Sequence, residues 1–388
     1  MADAVLKANV VVVGAGPLGL MAALALAKTV ARVVLVGPRA PVDGRTTAIL
    51  NEGLAFLEEL GVWDSLQAKT APLRIMRLVD GTNRLIRAPE ASFDASELDL
   101  PAFGYNIQNS DLLAVLQKAI NDHPIIEWHE NLVENCALDG APRLTLDNAT
   151  HVEGALIVAA DGRGSRLRNA AGIETKTWAY PQTALVMNLT HTRDHQNTST
   201  EFHTETGPFT LVPLPDKQSS LVWVETPERA AELKELSLEA LSAEISEKSH
   251  YLLGDITVQS KPMAYPLSGL TALECGRNKT VLIGESAHVF PPIGAQGMNL
   301  GIRDIKVLND LLEEQSANSE DEVDDIVSQY SAARKTDIAV RTRAVDALNR
   351  SLLTDLLPVH LGRGLGLYAL NKIPSARKFV MRQGLGAR

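Results

Sequence analysis

The stretch Val10-Val11-Val12-Val13-Gly14-Ala15-Gly16-Pro17-Leu18-Gly19 decides the fold of this chain. Four consecutive valines predict a buried strand, and the glycines that follow obey a G-x-G-x-x-G spacing at the start of a predicted helix. The first glycine permits a tight turn, the second lets the backbone approach a pyrophosphate, and the third lets helix and strand pack closely. The helix N-terminus adds free N–H groups and a partial positive charge. The stretch therefore predicts a dinucleotide site.

The elements on either side of this stretch extend it into an α/β fold. A helix over Pro17–Lys28 and a strand over Arg32–Val36 complete a β–α–β unit, which implies a parallel sheet. Further apolar strands are predicted at Leu156–Ala160 and Val281–Ile283. Residues 183–225 are rich in Thr, Val, Phe and Trp and predict an antiparallel sheet, and residues 227–248 predict a helix. Because these blocks alternate along the chain, we expect interleaved domains.

The composition excludes several classes of protein. With 388 residues, 45% hydrophobic and 22% charged, the chain is an ordered globular protein with room for two or three domains. Its two cysteines, Cys136 and Cys275, lie in no CxxC or Cys/His cluster, so we predict neither disulfides nor a metal site, and we expect a cytoplasmic protein. The uncharged run 9–27 is better explained by a strand, a glycine turn and a helix than by a targeting segment.

The net charge of −10 argues against nucleic-acid binding, and it is unevenly distributed. From Ser331 to the C-terminus, 11 Lys/Arg oppose 3 Asp/Glu, a balance of +8 that leaves −18 for residues 1–330. Leucines alternate with the basic residues of this tail. The pattern suits a helix on the inner face of an anionic membrane, a helix packed on the acidic body, or a surface for a partner.

Two more blocks carry candidate functional residues. Asp161 and Gly162 follow a predicted strand, where a carboxylate faces a ligand crevice, although a simple Asp-Gly turn explains them equally well. The block that starts at Gly284-Glu285 again joins a strand to a helix, through a loop that can present N–H groups. His288 within it has no second ligand at metal spacing, so we expect a structural histidine. Gly37 ends the second strand and leaves the ribose contact unassigned.

The three blocks, in this order and at these distances, resemble the FAD-dependent aromatic hydroxylases (class A flavin monooxygenases), and most closely the ubiquinone-biosynthesis hydroxylases, over nearly the whole chain. The continuation Asn299–Asp304 and the tail Gly362–Leu367 are the features most particular to that branch. The resemblance implies a para-hydroxybenzoate hydroxylase-like fold. Its expected parts are an FAD-binding Rossmann-like (glutathione reductase-type) domain (1–72, 101–175 and 272–330), a β-sheet-rich substrate domain (73–100 and 176–271), and C-terminal helices (331–388).

The same resemblance implies which residues contact the cofactor. Arg45 matches an arginine beside the flavin, Asp161-Gly162 matches a motif for both FAD and NAD(P)H, and Glu285 replaces the Asp that binds the ribitol. Gly37 stands where the family has a ribose-binding Glu. Pro292 and Gly294 are expected to position flavin and substrate during catalysis. The implied cofactor-binding residues are Gly14, Gly16, Pro17, Gly19, Arg45, Gln108, Asp161, Gly162, Glu285, Pro292, Gly294, Gln296, Gly297, Met298 and Asn299.

The implied reaction is hydroxylation of a polyprenylated phenol, an intermediate of ubiquinone. NAD(P)H, docking transiently, reduces the FAD, and O2 then forms a C4a-hydroperoxide that delivers oxygen to the ring. The sheet of residues 183–225 is expected to form a wall of the substrate pocket, with candidates that are equally compatible with plain core: Phe202, Phe209, Val212, Leu214 and Trp223. The alternatives are an epoxidase, halogenase or prenyl reductase of the same fold, or a non-catalytic subunit of a ubiquinone-biosynthesis assembly. A homo-oligomer is compatible with all of these.

Overall fold

A computed structural model describes residues 5–41, 44–82, 87, 89–292, 296–315, 320–353 and 373–385. Within these ranges the chain forms twenty strands and ten helices, together with three short 3-10 turns. The strands are β1 (Val5–Val13), β2 (Val33–Val36), β3 (Thr46–Leu50), β4 (Thr70–Pro72), β5 (Ile75–Asp80), β6 (Ala91–Asp94), β7 (Gly104–Gln108), β8 (Ile126–His129), β9 (Val133–Ala137), β10 (Arg143–Leu146), β11 (His151–Ala159), β12 (Thr175–His191), β13 (Thr198–His203), β14 (Pro208–Leu214), β15 (Gln218–Glu225), β16 (Ile256–Val258), β17 (Met263–Ala272), β18 (Gly276–Arg277), β19 (Thr280–Leu282) and β20 (His288–Val289). The helices are α1 (Pro17–Leu26), α2 (Asn51–Glu59), α3 (Trp63–Leu66), α4 (Asn109–Asn121), α5 (Arg166–Ala170), α6 (Pro227–Glu235), α7 (Leu238–Lys248), α8 (Gln296–Glu314), α9 (Glu320–Leu353) and α10 (Pro374–Leu385).

The first sheet confirms the predicted β–α–β opening. Its order is β18-β19-β11-β1-β2-β8, and β19, β11, β1, β2 and β8 run parallel. Val10 and Val12 pack among the helices on one face, whereas Val11 and Val13 pack against the β9–β10–β11 strands on the other. Since both faces are covered, the strand is a continuous apolar run instead of an alternating one.

The second sheet confirms the predicted antiparallel region. It runs β20-β17-β12-β15-β14-β13-β5-β6, with β16 beside β12, and its strand pairs are antiparallel apart from β5 with β13. Helices α6 and α7 cover one face through Ala230, Leu233, Leu241 and Ile245. The sequence predicted one helix here, but the structure has two, because Ser237 accepts a hydrogen bond from the Ala240 N–H and starts α7.

A small antiparallel sheet, β3-β7-β4, connects the two large sheets. The Thr46 hydroxyl of β3 donates to the Ser220 hydroxyl of β15 at 2.8 Å, and the Asn106 amide of β7 donates to the Pro213 carbonyl at 2.8 Å. Asn106 and Ser220 are buried, so these bonds satisfy polar groups that would otherwise be costly. The small sheet therefore lies against one face of the second sheet.

The C-terminal helices confirm the predicted helical region, although α9 is continuous across Ser331, so the division at residue 331 stays a prediction. Helix α10 docks on residues 91–97. Arg377 binds the Glu97 carboxylate at 2.6 and 2.8 Å and lies 4.5 Å over the Phe93 ring, and Met381 is buried beside them. None of the helices in the described ranges has the length and apolar character needed to cross a bilayer.

Candidate active site

The turn after β1 approaches its neighbours closely except at one glycine. Gly14 has φ +113°, and a Cβ there would lie 2.2 Å from the Ala160 carbonyl oxygen. A Cβ on Gly19 would lie 1.8 Å from the Gly14 carbonyl oxygen, whereas a Cβ on Gly16 would meet nothing within 4 Å. Gly16 also precedes α1 without a side-chain cap, which leaves first-turn N–H groups free. The open space before these donors fits a pyrophosphate.

Parallel register brings the three motif blocks to one edge of the first sheet. Val13 pairs with Val36 and with Ala159, and Ala159 pairs with Leu282, so the residues after these four strands lie side by side. The residues at this edge are Gly14, Gly37, Asp161 and Gly284. Ligands of open α/β sheets bind outside the carboxyl ends of the strands, which makes this edge the candidate site.

Two side chains fasten the blocks to one another. Leu18 of α1 occupies the space beside two glycines: a Cβ on Gly284 would lie 2.4 Å, and one on Gly301 2.3 Å, from the Leu18 Cδ1 atom. Buried Arg168 donates to the Ser286 carbonyl at 2.9 Å and to the Arg163 carbonyl at 3.1 Å. The glycine turn, the Asp161 block and the Glu285 block thus form one packed unit.

Asp161 presents an unused acceptor at this edge. Its Oδ2 atom accepts the Arg166 N–H at 2.9 Å, but its Oδ1 atom is buried and has no hydrogen-bond partner within the described ranges. Burial raises the pKa of the Asp161 carboxyl group above its ordinary value. An unsatisfied buried acceptor costs about 1–3 kcal/mol, so a hydroxyl or N–H donor from a ligand would stabilise it.

Glu285 is the only exposed residue of the 3-10 turn Gly284–Ser286, and it forms no ion pair or hydrogen bond in the part of the chain that the structure describes. The rest of the turn is fixed. The Ser286 hydroxyl donates to the Ala159 carbonyl at 2.6 Å, and the Gly284 N–H donates to the Asp304 carboxylate at 2.9 Å. A free carboxylate on a rigid turn suits the hydroxyl groups of a polyol.

Pairing of β3 with β7 brings Arg45 and Gln108 together, because Thr46 lies opposite Gln108. The Arg45 guanidinium is exposed and lies 5.5 Å from the centre of the Tyr265 ring on β17. Arg45 and Gln108 therefore lie where the small sheet meets the second sheet, as a role beside a flavin ring requires.

Two of the predicted loop residues already have protein partners through their side chains. The Asn299 amide accepts the Leu50 N–H and donates to the Ala48 carbonyl, both at 2.9 Å, and Gln296 accepts from Arg341 at 3.1 Å. These side chains hold the start of α8 against β3 and α9. The groups that remain for a ligand at the start of α8 are therefore its backbone N–H groups. Pro292 and Gly297 are exposed, Met298 packs on the core, and Gly294 lies outside the described residues.

The residues predicted as candidates for a wall of the substrate pocket lie on different faces of the second sheet. Phe202, Phe209 and Trp223 pack with α6 and α7 behind the sheet, which is the core alternative. Val212 and Leu214 project from the opposite face of β14, where Val212 is half-buried and Leu214 is buried. Near them, Asn188 lies opposite Ser220, and its buried Oδ1 atom has no partner among the residues described. That face is turned toward the small sheet.

Sequence reasoning missed a buried charged cluster beneath the Glu285 turn. Asp304 accepts from His288 Nε2 and from Arg334 Nε, both at 2.7 Å, and all three side chains are buried. The expectation of a structural histidine agrees with this contact. Asp304 interrupts the buried stripe of α8, which includes Leu300, Ile305 and Leu308. A carboxylate at a core position of a helix was the available signal, since buried charges are paired.

Position 37 carries a glycine and therefore no ribose-binding carboxylate, and the backbone conformation explains this choice. Its φ is +148°, and a Cβ there would lie 2.9 Å from the Ala15 nitrogen. The Gly37 carbonyl accepts the Trp128 indole N–H at 2.9 Å, and Arg39 covers the Trp128 ring at 4.4 Å. The chain therefore uses a tight glycine turn at this position.

The residues fit a dinucleotide with a polyol chain: an open glycine before free N–H groups, and two carboxylates with unused acceptors. Among the residues with described positions, no group of three or more His, Cys, Asp or Glu side chains is arranged to hold a metal ion.

Comparison with known proteins agrees with this fit. Residues 7–345 match a protein-family model described as FAD binding domain. The chain is 30% identical over 390 residues to the ubiquinone hydroxylase UbiL of Rhodospirillum rubrum, covering 98% of this chain and 90% of that protein. It is 28% identical over 390 residues to the 3-demethoxyubiquinol 3-hydroxylase of Escherichia coli, covering 97% and 98%. The p-nitrophenol 4-monooxygenase PnpA of Pseudomonas putida shares the fold, with a TM-score of 0.80 at 19% identity over 99% of this chain and 100% of that one.

Proposed function

The chain belongs to the FAD-binding domain family and is related along nearly its whole length to ubiquinone hydroxylases, and from this membership we propose that it hydroxylates the aromatic ring of a polyprenylated phenol in ubiquinone biosynthesis. It is an FAD-dependent monooxygenase, and its co-substrates in this proposal are NAD(P)H and O2. FAD, when bound, supplies the chemistry, because reduction by NAD(P)H enables it to activate O2 for transfer to an electron-rich ring.

The observation that carries the proposal is the grouping of Gly16, Asp161 and Glu285 at one sheet edge, each with an open approach or an unused acceptor. In this proposal the turn that includes Gly14, Gly16, Pro17 and Gly19 holds the pyrophosphate. Glu285 accepts from the ribitol hydroxyls, and Asp161-Gly162 contacts FAD and NAD(P)H. This division gives the unused acceptors of Asp161 and Glu285 a ligand partner.

In this proposal the flavin ring lies between the small sheet and the start of α8. Arg45 and Gln108 approach it from the small sheet. Backbone N–H groups of residues 296–299 approach it from α8, whose N-terminus favours electron-rich groups. Pro292 and Gly294 precede α8 in the sequence and would position ring and substrate. With FAD placed here, residues 1–72, 101–175 and 272–330 form the cofactor domain that we expect.

The substrate ring would lie on the half-buried face of the second sheet, next to Val212 and Asn188. Asn188 Oδ1 is buried without a partner within the described ranges, so it is able to accept a hydrogen bond from a phenol hydroxyl. Apolar neighbours keep water away, which matters because water competes with the ring for activated oxygen. The role of this chain is therefore to bind, orient and shield the two reactants.

Steady-state turnover tests the proposal. The FAD-loaded protein is mixed with NAD(P)H and a short-chain polyprenylated phenol, and NAD(P)H oxidation and ring products are measured together. We expect the phenol to accelerate oxidation and to be recovered hydroxylated. An Asn188→Ala variant should direct more NAD(P)H to H2O2, while Asn131→Ala, in the loop after β8, should not. If the protein binds FAD but no phenol accelerates NAD(P)H oxidation, another flavoenzyme reaction is favoured. If the protein does not bind FAD, a non-catalytic subunit is favoured.

We also propose that α10 contacts the anionic inner face of the cell membrane. Opposite its docked face, Phe379 is 63% exposed and is flanked by the exposed basic residues Lys378 and Arg382. An aromatic side chain with basic neighbours suits the headgroup region, where each basic residue adds about 1 kcal/mol. Such contact would bring the enzyme to a lipid-borne phenol.

Vesicle co-sedimentation tests this placement. Wild-type protein should bind vesicles that contain anionic lipid, and binding should fall for Phe379→Ser and for the pair Lys378→Glu and Arg382→Glu. Val340→Ser on α9, where Val340 is 61% exposed, is the matched control and should leave binding unchanged. Unaltered binding of the charge-reversal pair would refute the membrane role and favour a surface for other ubiquinone-biosynthesis proteins.

A further inference from the structure

We infer that helix α9 braces the Glu285 turn and the first residue of α8 through a chain of buried and half-buried charges, with Asp304 and Arg334 as positioning residues. The inference rests on the proposed FAD site, and it assigns a role to residues outside that site.

The chain begins beneath the Glu285 turn. Asp304 of α8 is 0% exposed, and its Oδ2 atom accepts the Gly284 N–H at 2.9 Å and the His288 Nε2 atom at 2.7 Å. Its Oδ1 atom accepts from Arg334 Nε of α9 at 2.7 Å. Although burial alone would raise it, the contacts with His288 and Arg334 lower the pKa of the Asp304 carboxyl group overall. A buried carboxylate thus directs a charge-assisted bond at the backbone of the turn.

The chain of charges continues along α9 to the start of α8. Arg334 donates to Asp337 at 2.8 Å, Asp337 accepts from Arg341 at 3.0 Å, and Arg341 donates to the Gln296 side chain at 3.1 Å. Gln296 is the first residue of α8. The same helix therefore holds the residue before Glu285 and the residue from which the flavin-facing N–H groups start.

This arrangement differs from ordinary core packing in what it contacts. The Glu285 side chain has no hydrogen bond or ion pair within the described residues. The orientation of its carboxylate therefore depends on the fixed positions of Gly284 and Ser286. The glycine turn at 14–19 takes its shape from its own close contacts with Ala160, and it meets this chain of charges only through the apolar contact of Leu18 with Gly284, which involves no charge. Loss of the brace should therefore weaken the contacts to the ribitol and flavin while the pyrophosphate and adenosine contacts persist.

Ligand titration separates these two halves. Apoprotein variants are titrated with FAD, followed by the quenching of flavin fluorescence, and separately with ADP, which needs only the glycine-turn half. We expect Asp304→Asn and Arg334→Met to raise the Kd for FAD by about tenfold, the scale of one charge-assisted hydrogen bond, with the Kd for ADP within about twofold. Arg334→Lys should recover part of the loss.

Two further variants keep the test decisive if a core variant fails to fold. Arg341→Met removes the half-exposed outer link and should raise the FAD Kd without lowering the Tm of the apoprotein appreciably. Glu225→Gln changes another buried carboxylate, bonded to Trp223 at 3.0 Å behind the second sheet, and should alter neither Kd. Equal weakening of FAD and ADP, or unchanged FAD affinity in Arg341→Met, would overturn the inference. If wild-type protein itself binds no FAD, the proposed function fails instead.

Discussion

Restoring the family's glutamate at position 37 should harm this protein. Related enzymes are expected to bind the FAD ribose with a Glu at the end of the second strand, and Gly37→Glu introduces that acceptor here. The structure predicts that the change is harmful, because Gly37 has φ +148° and a Cβ there would lie 2.9 Å from the Ala15 nitrogen. Any side chain at this position strains the turn that carries the free N–H groups.

The size of the effect follows from two terms. A residue other than glycine in this region of backbone space costs about 1–3 kcal/mol, and the close contact with Ala15 adds to that cost. Because unfolding entropy grows with chain length, at about 2.1 cal/mol/K per residue, a change of 1 kcal/mol moves the Tm of a 388-residue chain by roughly 1 °C. We therefore expect Gly37→Glu to lower the Tm of the apoprotein by about 1–4 °C.

Thermal melting and FAD titration check this prediction, with Gly37→Ala as the matched control. Alanine introduces the strain without the carboxylate, so both variants should lose stability by similar amounts and both should bind FAD more weakly than wild type. A Gly37→Glu variant that melts like wild type and binds FAD more tightly would refute the reasoning, since the turn would then have room for a glutamate.

Three other perturbations follow from the site geometry. Gly16→Leu should leave the apoprotein Tm nearly unchanged but raise the FAD Kd by roughly 100-fold or more in a fluorescence titration, because its side chain would fill the open space before α1. Glu285→Gln should raise the FAD Kd by about tenfold in the same assay, as loss of a charged acceptor implies, and an unchanged Kd would place the ribitol elsewhere. Burial raises the pKa of the Cys275 thiol from 9.0 to about 12, so its contribution to stability is complete below pH 9.0 and disappears as the pH approaches 12. Urea unfolding across that range should show the stability of wild type falling toward that of Cys275→Ala, and a constant difference would contradict the buried thiol.

Local patterns predicted the first sheet well. The valine run, the glycine spacing and the apolar strands at 156–160 and 281–283 each depend on neighbours close in sequence, and the structure brings them to one sheet edge. The substrate wall was harder. Phe209 and Val212 are both apolar residues of β14, but alternation along the strand sends them to opposite faces. Only the packing of α6 and α7 decides which of the two faces is core.

Charge counting left the role of the C-terminal region open. The excess of +8 after residue 330 is compatible with a membrane helix, a helix packed on the acidic body or a partner surface, and in the structure Arg334, Arg341 and Arg377 each have acidic partners. The Arg377 partner is Glu97, 280 residues away in sequence. The described part of the tail thus packs on the acidic body through Arg334 and Arg377, and it exposes Lys378 and Arg382. Pairing over such separations depends on the tertiary fold and has no local signal.

The origin of the oxygen atom in the product tests the central claim most directly. The FAD-loaded protein is supplied with NAD(P)H, a polyprenylated phenol and isotopically heavy O2, and the ring product is weighed by mass spectrometry. A ring hydroxylase must place one heavy oxygen atom from O2 on the aromatic ring, with none from water. Recovery of unlabelled product, or NAD(P)H consumption with H2O2 as the sole outcome for every phenol tried, would contradict the account.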